Sequence, residues 1–517
     1  MTVDQRDVIT GSKAGITIAA MAAALMSVLD ISIVNVALSD IRASFGTPLD
    51  QIAWVSTGYM MANVVVIPMT GWLQRRFGYR RYFTFSILMF TAASVLCGLA
   101  WNLPSLVVFR ILQGMGGGAI IPTSQAILFA RYPRNEHSMA GALFALGAVT
   151  GPLLGPTVGG MLIEAASWHW IFLINLPVGL FAAYMAWRNI EQPHFEVSQE
   201  KVDRNGIALL AVGMAALQYV LEEGNREDWF ESRTITILAV IAGVALITFI
   251  VHELETPQPV VDLSVFLNRS YAAATGVNFL IGTALFSGSF LFSLFCGTVM
   301  RYSALDIGLV FLKGSAIQIL LMPIIGKFGS KVDGRMLIAF GICGMSLSLW
   351  TNGHMTSSVD EAALIAPVFI RACSLGFVFV PLSVLALSNL KPEQRGNAAG
   401  LFNLTRELGG SIGTAWMSSA LSRSTQANVT ALTSHVDVYG QTTQEQLGMA
   451  KSMMAGRGIL DPGGAAYGLL NMRINVQALV RAFNANFVIL TVIFAASLLL
   501  VFMLQKPDPT VKVEGAH

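Results

Sequence analysis

The sequence predicts an all-α membrane protein that crosses the bilayer fourteen times. Three observations predict this fold class: the composition, a regular series of apolar runs, and the placement of lysine and arginine. Of the 517 residues, 54% are hydrophobic and 12% are charged, whereas roughly 25% of residues are charged in an ordinary soluble domain. Because so few charges could not cover a water-soluble surface, most of the chain is expected to lie in lipid.

The apolar runs are long enough to cross a bilayer, whose hydrocarbon core needs about 20 apolar residues per helix. The first run follows a polar start without a small-residue cleavage site, so we expect it to be a retained first helix. The predicted spans are 14–38, 52–72, 82–101, 106–129, 138–162, 168–187, 206–221, 234–252, 271–297, 304–326, 335–351, 363–388, 396–420 and 484–504.

Basic residues orient these spans. Most of the 32 lysines and arginines fall in every second connection, such as 73–81, 130–137 and 327–335. Cytoplasmic loops of membrane proteins carry the excess of lysine and arginine. We therefore expect a multi-pass membrane protein with both termini in the cytoplasm.

The chain also repeats itself. Gly71 opens the loop GWLQRRFGYRR, and Gly326 opens the similar loop GKFGSKVDGR. One constant interval separates the members of three further pairs, Pro122 and Pro381, Pro133 and Pro392, and Gly151 and Gly410. Such a repeat predicts two parallel six-helix halves, a standard plan for transporters. The predicted boundaries are 1–190 for the first half, 191–265 for a linker with two extra transmembrane helices, and 266–517 for the second half with a long outer loop, 421–483.

Together these motifs resemble the major facilitator superfamily. The basic loop after the second span, LDISIVNVAL at 29–38 and GAVTGPLLGPTVGG at 147–160 are similar to the fourteen-span drug:proton antiporter family of EmrB-type multidrug efflux pumps. The resemblance implies export of lipophilic drugs or toxic compounds in exchange for protons by alternating access. A proton-coupled metabolite or nutrient symporter on the same fold is the second interpretation. One departure is Gln74, which stands where the family's loop usually has an acid.

Ionisable residues inside the spans are the candidates for proton coupling. Burial of Asp30 in the first span disfavours the charged carboxylate and so favours proton uptake. Arg110 in the fourth span lies within reach of that depth, and the resemblance links its position with proton coupling. Glu407 is either a second proton site or an acid that binds a cationic drug. The structural alternatives are a packing acid held by amides, an arginine that reaches the headgroups, and a buried pair between Glu407 and Arg371.

Other polar side chains at membrane depth are candidates for a substrate cavity between the halves. They are Asn35, Gln113, Arg371, Arg406 and Lys313. For each of them, a structural ion pair or hydrogen bond is the competing interpretation, because charged residues in lipid pair with one another.

Two motifs are predicted to act in helix packing and movement rather than in ligand binding. Four glycines of the fifth span recur every fourth residue and so share a helix face that allows close approach, while two prolines favour bending. This antiporter motif comprises Gly147, Gly151, Pro152, Gly155, Pro156, Gly159 and Gly160. The inner-loop motif comprises Gly71, Arg75, Gly78, Arg80 and Arg81, and its cations are expected to dock at helix ends of the other half. For the antiporter motif, the alternative is ordinary close packing of helices. For the inner-loop motif, the alternative is that its cations only mark the cytoplasmic side of the membrane.

The outer segment 421–483 is polar and too long for a simple turn. One interpretation, by analogy with EmrB-type pumps, is a docking surface for a periplasmic adaptor and, through it, an outer-membrane channel in a tripartite pump. The other is a mobile exposed loop.

The sequence predicts no enzyme. No P-loop motif G-x-x-x-x-G-K-[ST] and no H-E-x-x-H occurs, and the four cysteines form no CxxC pair, so no cofactor or metal is expected. The net charge of +2 gives no reason to expect a nucleic-acid partner. The expected partners are lipophilic small molecules, protons and membrane lipid.

Overall fold

A computed structural model describes residues 9–133, 136–192, 202–388, 390, 392–434, 436 and 440–505. Within these ranges the regular elements are helices, apart from one isolated bridge between Thr10 and Glu191. The α-helices are α1 (Lys13–Phe45), α2 (Leu49–Ile52), α3 (Trp54–Phe77), α4 (Tyr79–Gly98), α5 (Leu103–Arg131), α6 (His137–Ala165), α7 (Trp170–Leu173), α8 (Asn175–Asn189), α9 (Arg204–Glu223), α10 (Arg233–Glu255), α11 (Arg269–Thr298), α12 (Ala304–Ser315), α13 (Ile317–Phe328), α14 (Gly334–Asn352), α15 (Glu361–Ser388), α16 (Pro392–Ser434), α17 (Gln441–Gly456), α18 (Pro462–Ala496) and α19 (Leu498–Val501).

Helices lie at all of the predicted spans, so the all-α membrane fold class is confirmed. Breaks divide the sixth span into α7 and α8 and the span 304–326 into α12 and α13. Eleven helical stretches in the described part are long and apolar enough to cross a membrane. Because α3, α6 and α16 are not among these, the full count of fourteen crossings stays a prediction, as do the domain boundaries.

Most of the described part of the segment 421–483 is helical. Helix α16 continues beyond the predicted end of its span as far as Ser434, and α18 begins at Pro462, well before the predicted start of the last span. The two helices pack side by side, since the Asn428 side chain donates to the carbonyl of Ala478 at 3.2 Å. We call residues 421–434, 441–456 and 462–483 the outer hairpin.

The extra helix α9 lies against both repeats. Helix α9 holds α3 through Thr57, whose hydroxyl donates to Glu223 at 3.2 Å. On the other side, Gln218 of α9 donates to the hydroxyl of Ser411 in α16 at 3.0 Å. Helix α9 thus covers the seam where α3 meets α16.

Close glycine contacts join the two repeats at one membrane face, which we call the basic face because it carries the loops after α3 and α13. A Cβ atom added to Gly71 of α3 would lie 2.5 Å from the backbone nitrogen of Asn397 in α16. The repeat partner Gly326 of α13 meets α6 in the same way, 2.7 Å from the Cβ atom of Ala142. The two loop glycines therefore make equivalent contacts across the boundary between the repeats.

Polar and aromatic contacts complete this seal. The Asn403 side chain of α16 donates to Gln125 Oε1 of α5 at 2.6 Å. The rings of Phe144 in α6 and Phe379 in α15 stack with centroids 6.0 Å apart. The N-terminal and C-terminal helices are thus packed together at the basic face.

We predict that Gly71→Ala lowers the stability of this state by about 1–3 kcal/mol, the usual cost of overpacking. The clash is with backbone, which cannot rotate away. Gly243→Ala on α10 is the matched control, because a Cβ atom there meets nothing within 4 Å. Thermal unfolding of the purified variants in detergent measures the difference. Equal melting temperatures for both variants would contradict the close contact.

Candidate functional site

Four buried polar side chains from three parts of the chain converge near the middle of the N-terminal helices. Arg110 Nη1 of α5 donates to Asp30 Oδ2 of α1 at 2.6 Å. Asp30 Oδ1 accepts from Gln113 Nε2 and from Asn175 Nδ2 of α8, each at 2.8 Å. We call Asp30, Arg110, Gln113 and Asn175 the Asp30 network. Its members are between 0% and 2% exposed.

The guanidinium of Arg110 is fixed on its other sides as well. Its Nε donates to the backbone carbonyl of Val55 at 3.0 Å, and its Nη1 also donates to Gln113 Oε1 at 2.8 Å. The ring of the buried Tyr59 lies 4.2 Å from the guanidinium carbon. Because one arginine joins α1, α3 and α5, a change at Asp30 is transmitted to three helices.

Glycines of α5 allow this convergence. The run that follows Arg110 contains Gly114, Gly116, Gly117 and Gly118. A Cβ atom at Gly117 would lie 2.5 Å from the Tyr59 hydroxyl, and one at Gly118 would lie 2.6 Å from the carbonyl of Asn63. Helix α3 can therefore approach α5 closely enough to place Tyr59 over Arg110.

The hydrogen bonds around Asp30 are those of a charged carboxylate. Its two oxygens accept three donors, one of them cationic, and charge-assisted bonds of this kind are among the strongest in proteins. An added proton would turn one acceptor oxygen into a donor that faces other donors. Protonation of Asp30 and an intact network therefore oppose each other, which gives the site two distinct arrangements.

The remaining membrane-depth charges lie in the C-terminal helices. Arg406 and Glu407 pair with each other at 3.6 Å, so the suggested pair between Glu407 and Arg371 is not formed. Arg371 instead donates to Ser289 Oγ of α11 at 3.0 Å.

Two cavity candidates are exposed. Lys313 forms an ion pair with Glu361 at 2.6 Å, with side chains 52% and 50% exposed. Asn35 is exposed and accepts from the Ser56 hydroxyl at 3.3 Å. It is therefore no partner of Asp30, and the amides that hold this acid are those of Gln113 and Asn175.

The glycine face of the fifth span packs on the first helix. A Cβ atom at Gly151 would lie 2.7 Å from the backbone nitrogen of Leu29, next to Asp30, and one at Gly147 would lie 3.1 Å from the carbonyl of Met21. Gly155 meets the Ser32 hydroxyl and Gly159 meets Ile33 in the same way, whereas Gly160 faces Leu305 of α12 at 3.8 Å. The side chains of Pro152 and Pro156 lie outside the described residues.

The basic loop contacts α16 through its glycine and amide. Gln74 is buried, donates to Thr123 Oγ1 at 3.1 Å, and places its Oε1 against Gly396. Gly78 adopts a positive φ of 77°, which suits glycine at the turn into α4. Arg80 stacks on Trp187 at 4.2 Å within the N-terminal helices, Arg75 is half-buried, and Arg81 is exposed.

Sequence reasoning missed Asn175 and Tyr59. Neither carries a charge, and neither lies in a motif that the sequence singles out. Asn175 opens α8 just after the break that follows α7, and a buried amide in an apolar run is the signal that could have found it.

Comparisons with known proteins place the chain in a family. Residues 20–414 match the model of the Major Facilitator Superfamily. The chain belongs to the Major Facilitator Superfamily. It is thus a multi-pass membrane transporter and not an enzyme, as the sequence predicted. In line with the fold, the human organic anion transporter MFSD10 (TETRAN) superposes with a TM-score of 0.59 at 12% identity, over 95% of this chain and 99% of that one.

Curated relatives match over nearly the whole length. The multidrug export protein EmrB of Haemophilus influenzae is 33% identical over 500 residues, which is 96% of both chains. The fatty acid resistance protein FarB of Neisseria gonorrhoeae is 33% identical over 497 residues, again 96% of both. EmrB of Escherichia coli is 34% identical over 492 residues, 95% of both. The resemblance to EmrB-type pumps is thereby confirmed.

We predict that Arg110→Gln lowers the stability of the protein by about 3–5 kcal/mol, because removing one partner of a buried ion pair leaves an uncompensated charge. The charge left behind is the carboxylate of Asp30, which is 0% exposed. Thermal unfolding of the purified variant in detergent measures the loss.

The double variant Asp30→Asn, Arg110→Gln is the control for this prediction. It removes the acid together with its cation, so it should melt at a higher temperature than the single variant. A single variant that melts like the wild type would show that Arg110 is not the counter-ion of Asp30.

Proposed function

We propose that this protein is a proton-coupled secondary transporter that exports lipophilic drugs or toxic compounds across the cell inner membrane by alternating access. The observation that carries the proposal is the ion pair between Asp30 and Arg110, which is buried at membrane depth with 0% and 1% exposure. Charges placed in lipid are costly and mark ion or proton pathways. The export and resistance functions in the names of EmrB and FarB support the direction of transport.

Asp30 is the proposed proton carrier. In the present state the basic face is sealed and the carboxylate is occupied by three donors. A proton that reaches Asp30 from the opposite face neutralises the acid and removes its attraction for Arg110. Loss of this attraction loosens α1 against α5 and favours the state that is open at the basic face. There the proton leaves, cargo enters, and the pair forms again.

The coupling must be reciprocal. If cargo binding favours the charged Asp30 and its pair with Arg110, then protonation of Asp30 must weaken cargo binding by the same factor. The state seen here, sealed at the basic face with the pair formed, fits a transporter that has delivered its cargo and is ready to take up a proton.

Glu407 is proposed as a second ionisable group of the cycle. It is paired with Arg406 at 3.6 Å, which is longer than the pair at Asp30. A looser pair exchanges a proton at a lower structural cost. The substitution Glu407→Gln should therefore change the proton-to-cargo ratio without abolishing transport.

The mechanical motifs have proposed parts in the same cycle. The glycine face from Gly147 to Gly159 lets α6 slide or bend against α1 beside Asp30. The inner-loop motif fastens the basic face through the contact of Gly71 with Asn397. The first contact lies next to Asp30, and the second involves α3, which Arg110 bonds at Val55. Proton uptake at Asp30 and the seal at the basic face can therefore act on each other.

The proposed orientation places both termini and the basic face in the cytoplasm. The excess of lysine and arginine in the loops of this face supports it. The outer hairpin then projects into the periplasm.

The outer hairpin is the proposed docking surface for a periplasmic adaptor, and through it for an outer-membrane channel. Large apolar side chains on it are exposed, among them Met449 at 69%, Met453 at 56% and Tyr467 at 54%. Exposed apolar groups of this size on a projection outside the lipid mark an interaction surface. A nutrient symporter would need no such projection. The relatives of this chain that are named for export and resistance do not favour the symporter alternative either.

We predict that Asp30→Asn abolishes efflux driven by a pH gradient, because an amide cannot carry a proton. The measurement is export of a lipophilic dye from proteoliposomes with an imposed gradient. Asp40→Asn is the matched control, because it makes the same substitution at an exposed acid of the same helix and should retain wild-type rates. Persistent gradient-driven efflux in Asp30→Asn would remove this residue from the mechanism.

We predict that replacing residues 436–461 by a short Gly-Ser linker separates transport from resistance. Exchange in proteoliposomes should stay within about twofold of wild type, because the hydrogen bonds that hold Asp30 come from α5 and α8. Resistance of a pump-deficient strain that expresses the adaptor should be lost. Retained resistance would show that the adaptor, if one is used, docks elsewhere.

A further inference from the structure

Three arginines are at least nine-tenths buried in the described part of the chain, and two of them have a carboxylate. Arg110 pairs with Asp30 at 2.6 Å, and Arg406 pairs with Glu407 at 3.6 Å. Arg371 is 9% exposed, and none of the ion pairs among the described residues includes it. Its described hydrogen bond goes to the neutral hydroxyl of Ser289, at 3.0 Å.

Arg371 is the counterpart of Arg110 in the internal repeat. Each arginine donates from the fourth helix of its repeat to the first, since α5 bonds α1 and α15 bonds α11. Ser289 is separated from Asp30 by the interval that separates Pro122 from Pro381. Arg371 stands about half a helical turn beyond strict register with Arg110, and its side chain nevertheless reaches the first helix of its repeat.

The aromatic neighbour is also repeated. Tyr59 of α3 lies 4.2 Å from the guanidinium carbon of Arg110, and Phe311 of α12 lies 5.2 Å from that of Arg371. Helices α3 and α12 belong to the second span of their repeats. The two sites therefore share an arginine, its partner position and an aromatic face, and they differ in the carboxylate, which only the first site has.

A buried cation without an anion is unstable in lipid. A guanidinium offers five donors, and a hydroxyl satisfies only one of them. Arg371 lies about 15 Å along α15 from its first turn, which places it near the middle of a bilayer core of about 30 Å. Ser289 and Phe311 are half-buried, so the two residues next to Arg371 leave the site partly open.

We propose that Arg371, together with Ser289 and Phe311, binds the acid group of a lipophilic anion carried by the transporter. The carboxylate, sulfonate or phenolate of the cargo takes the place that Asp30 occupies in the first repeat. The aromatic face of Phe311, backed by Phe292 at 5.4 Å, packs against the apolar body of the cargo. This inference deepens the proposed export function and rests on it.

The charge balance explains why one arginine has a built-in acid and the other has none. Asp30 neutralises Arg110 in the absence of cargo and gives up that role when it is protonated. Arg371 is neutralised only when an anionic cargo is present. Cargo binding therefore removes an unbalanced charge from the membrane interior, which favours the helix movement that carries it across.

A matched pair of fluorescent ligands tests the site. 8-Anilinonaphthalene-1-sulfonate and N-phenyl-1-naphthylamine share their aromatic skeleton, and only the first carries an anion. Binding of each is measured by fluorescence in protein-containing nanodiscs after subtraction of empty nanodiscs. Arg371→Gln should weaken binding of the sulfonate by about 10-fold or more, the effect of losing a hydrogen bond to a charged group. Binding of the neutral amine should change by less than about twofold, and Arg371→Lys should restore part of the loss.

Lys313→Gln is the matched cation control, because Lys313 is exposed and paired with Glu361. It should leave both ligands unaffected. Equal weakening of both ligands in Arg371→Gln, or equal loss of the sulfonate in Lys313→Gln, would overturn the proposal. Suppression of sulfonate binding when gluconate is replaced by chloride would also overturn it, because the site would then hold a free inorganic anion.

Two further measurements separate folding and the proposed function from this inference. Arg371→Gln should melt no lower than wild type, because it removes an uncompensated buried charge; a collapse of the fold in this variant would contradict the absence of a built-in partner. Wild-type protein that binds neither ligand would count against lipophilic cargo altogether. Gradient-driven export that fails in Asp30→Asn but keeps its preference for anions in Arg371→Gln would leave the proposed function intact and refute this site.

Discussion

The structure depends on one constraint, which is that a charge inside the membrane must be neutralised by a partner. The ion pair of Asp30 and Arg110 meets this constraint, and both of its side chains are buried. Because Arg110 also bonds the carbonyl of Val55 and lies under Tyr59, the pair holds α1, α3 and α5 together. Neutralising one member by a proton therefore acts on helix packing, which connects proton chemistry to movement.

The same constraint relates the two repeats. Their glycine loops make equivalent contacts at the basic face, where Gly71 meets α16 and Gly326 meets α6. Their fourth helices each supply a buried arginine, but the repeats differ in what opposes it, a carboxylate in the first and a hydroxyl in the second. A symmetric scaffold with an asymmetric charge distribution is suited to exchange a proton on one side for an anionic cargo on the other.

Much of the site was predictable because isolated charges in apolar runs are rare and conspicuous. Asp30 and Arg110 stand out in this way, and their similar depth in neighbouring spans is enough to propose a pair. Glu407 stands out as well, but its partner was not predictable: Arg406 is its neighbour in sequence, and whether two adjacent side chains meet depends on rotamers that the environment sets. Lys313 stands out for the same reason, but its exposure and its pair with Glu361 depend on which helix face is covered.

The sequence by itself determined the fold class, the positions of the spans, the repeat and the family, because hydropathy, glycine spacing and charge placement act locally along the chain. Only the tertiary structure decided that Asn175 and Gln113 hold Asp30, that Gly71 and Gln74 contact α16, and that the segment 421–483 continues as helices. These outcomes depend on helix rotation and on contacts between residues far apart in the chain. A one-dimensional pattern leaves both undetermined, because several rotations bury the same apolar faces equally well.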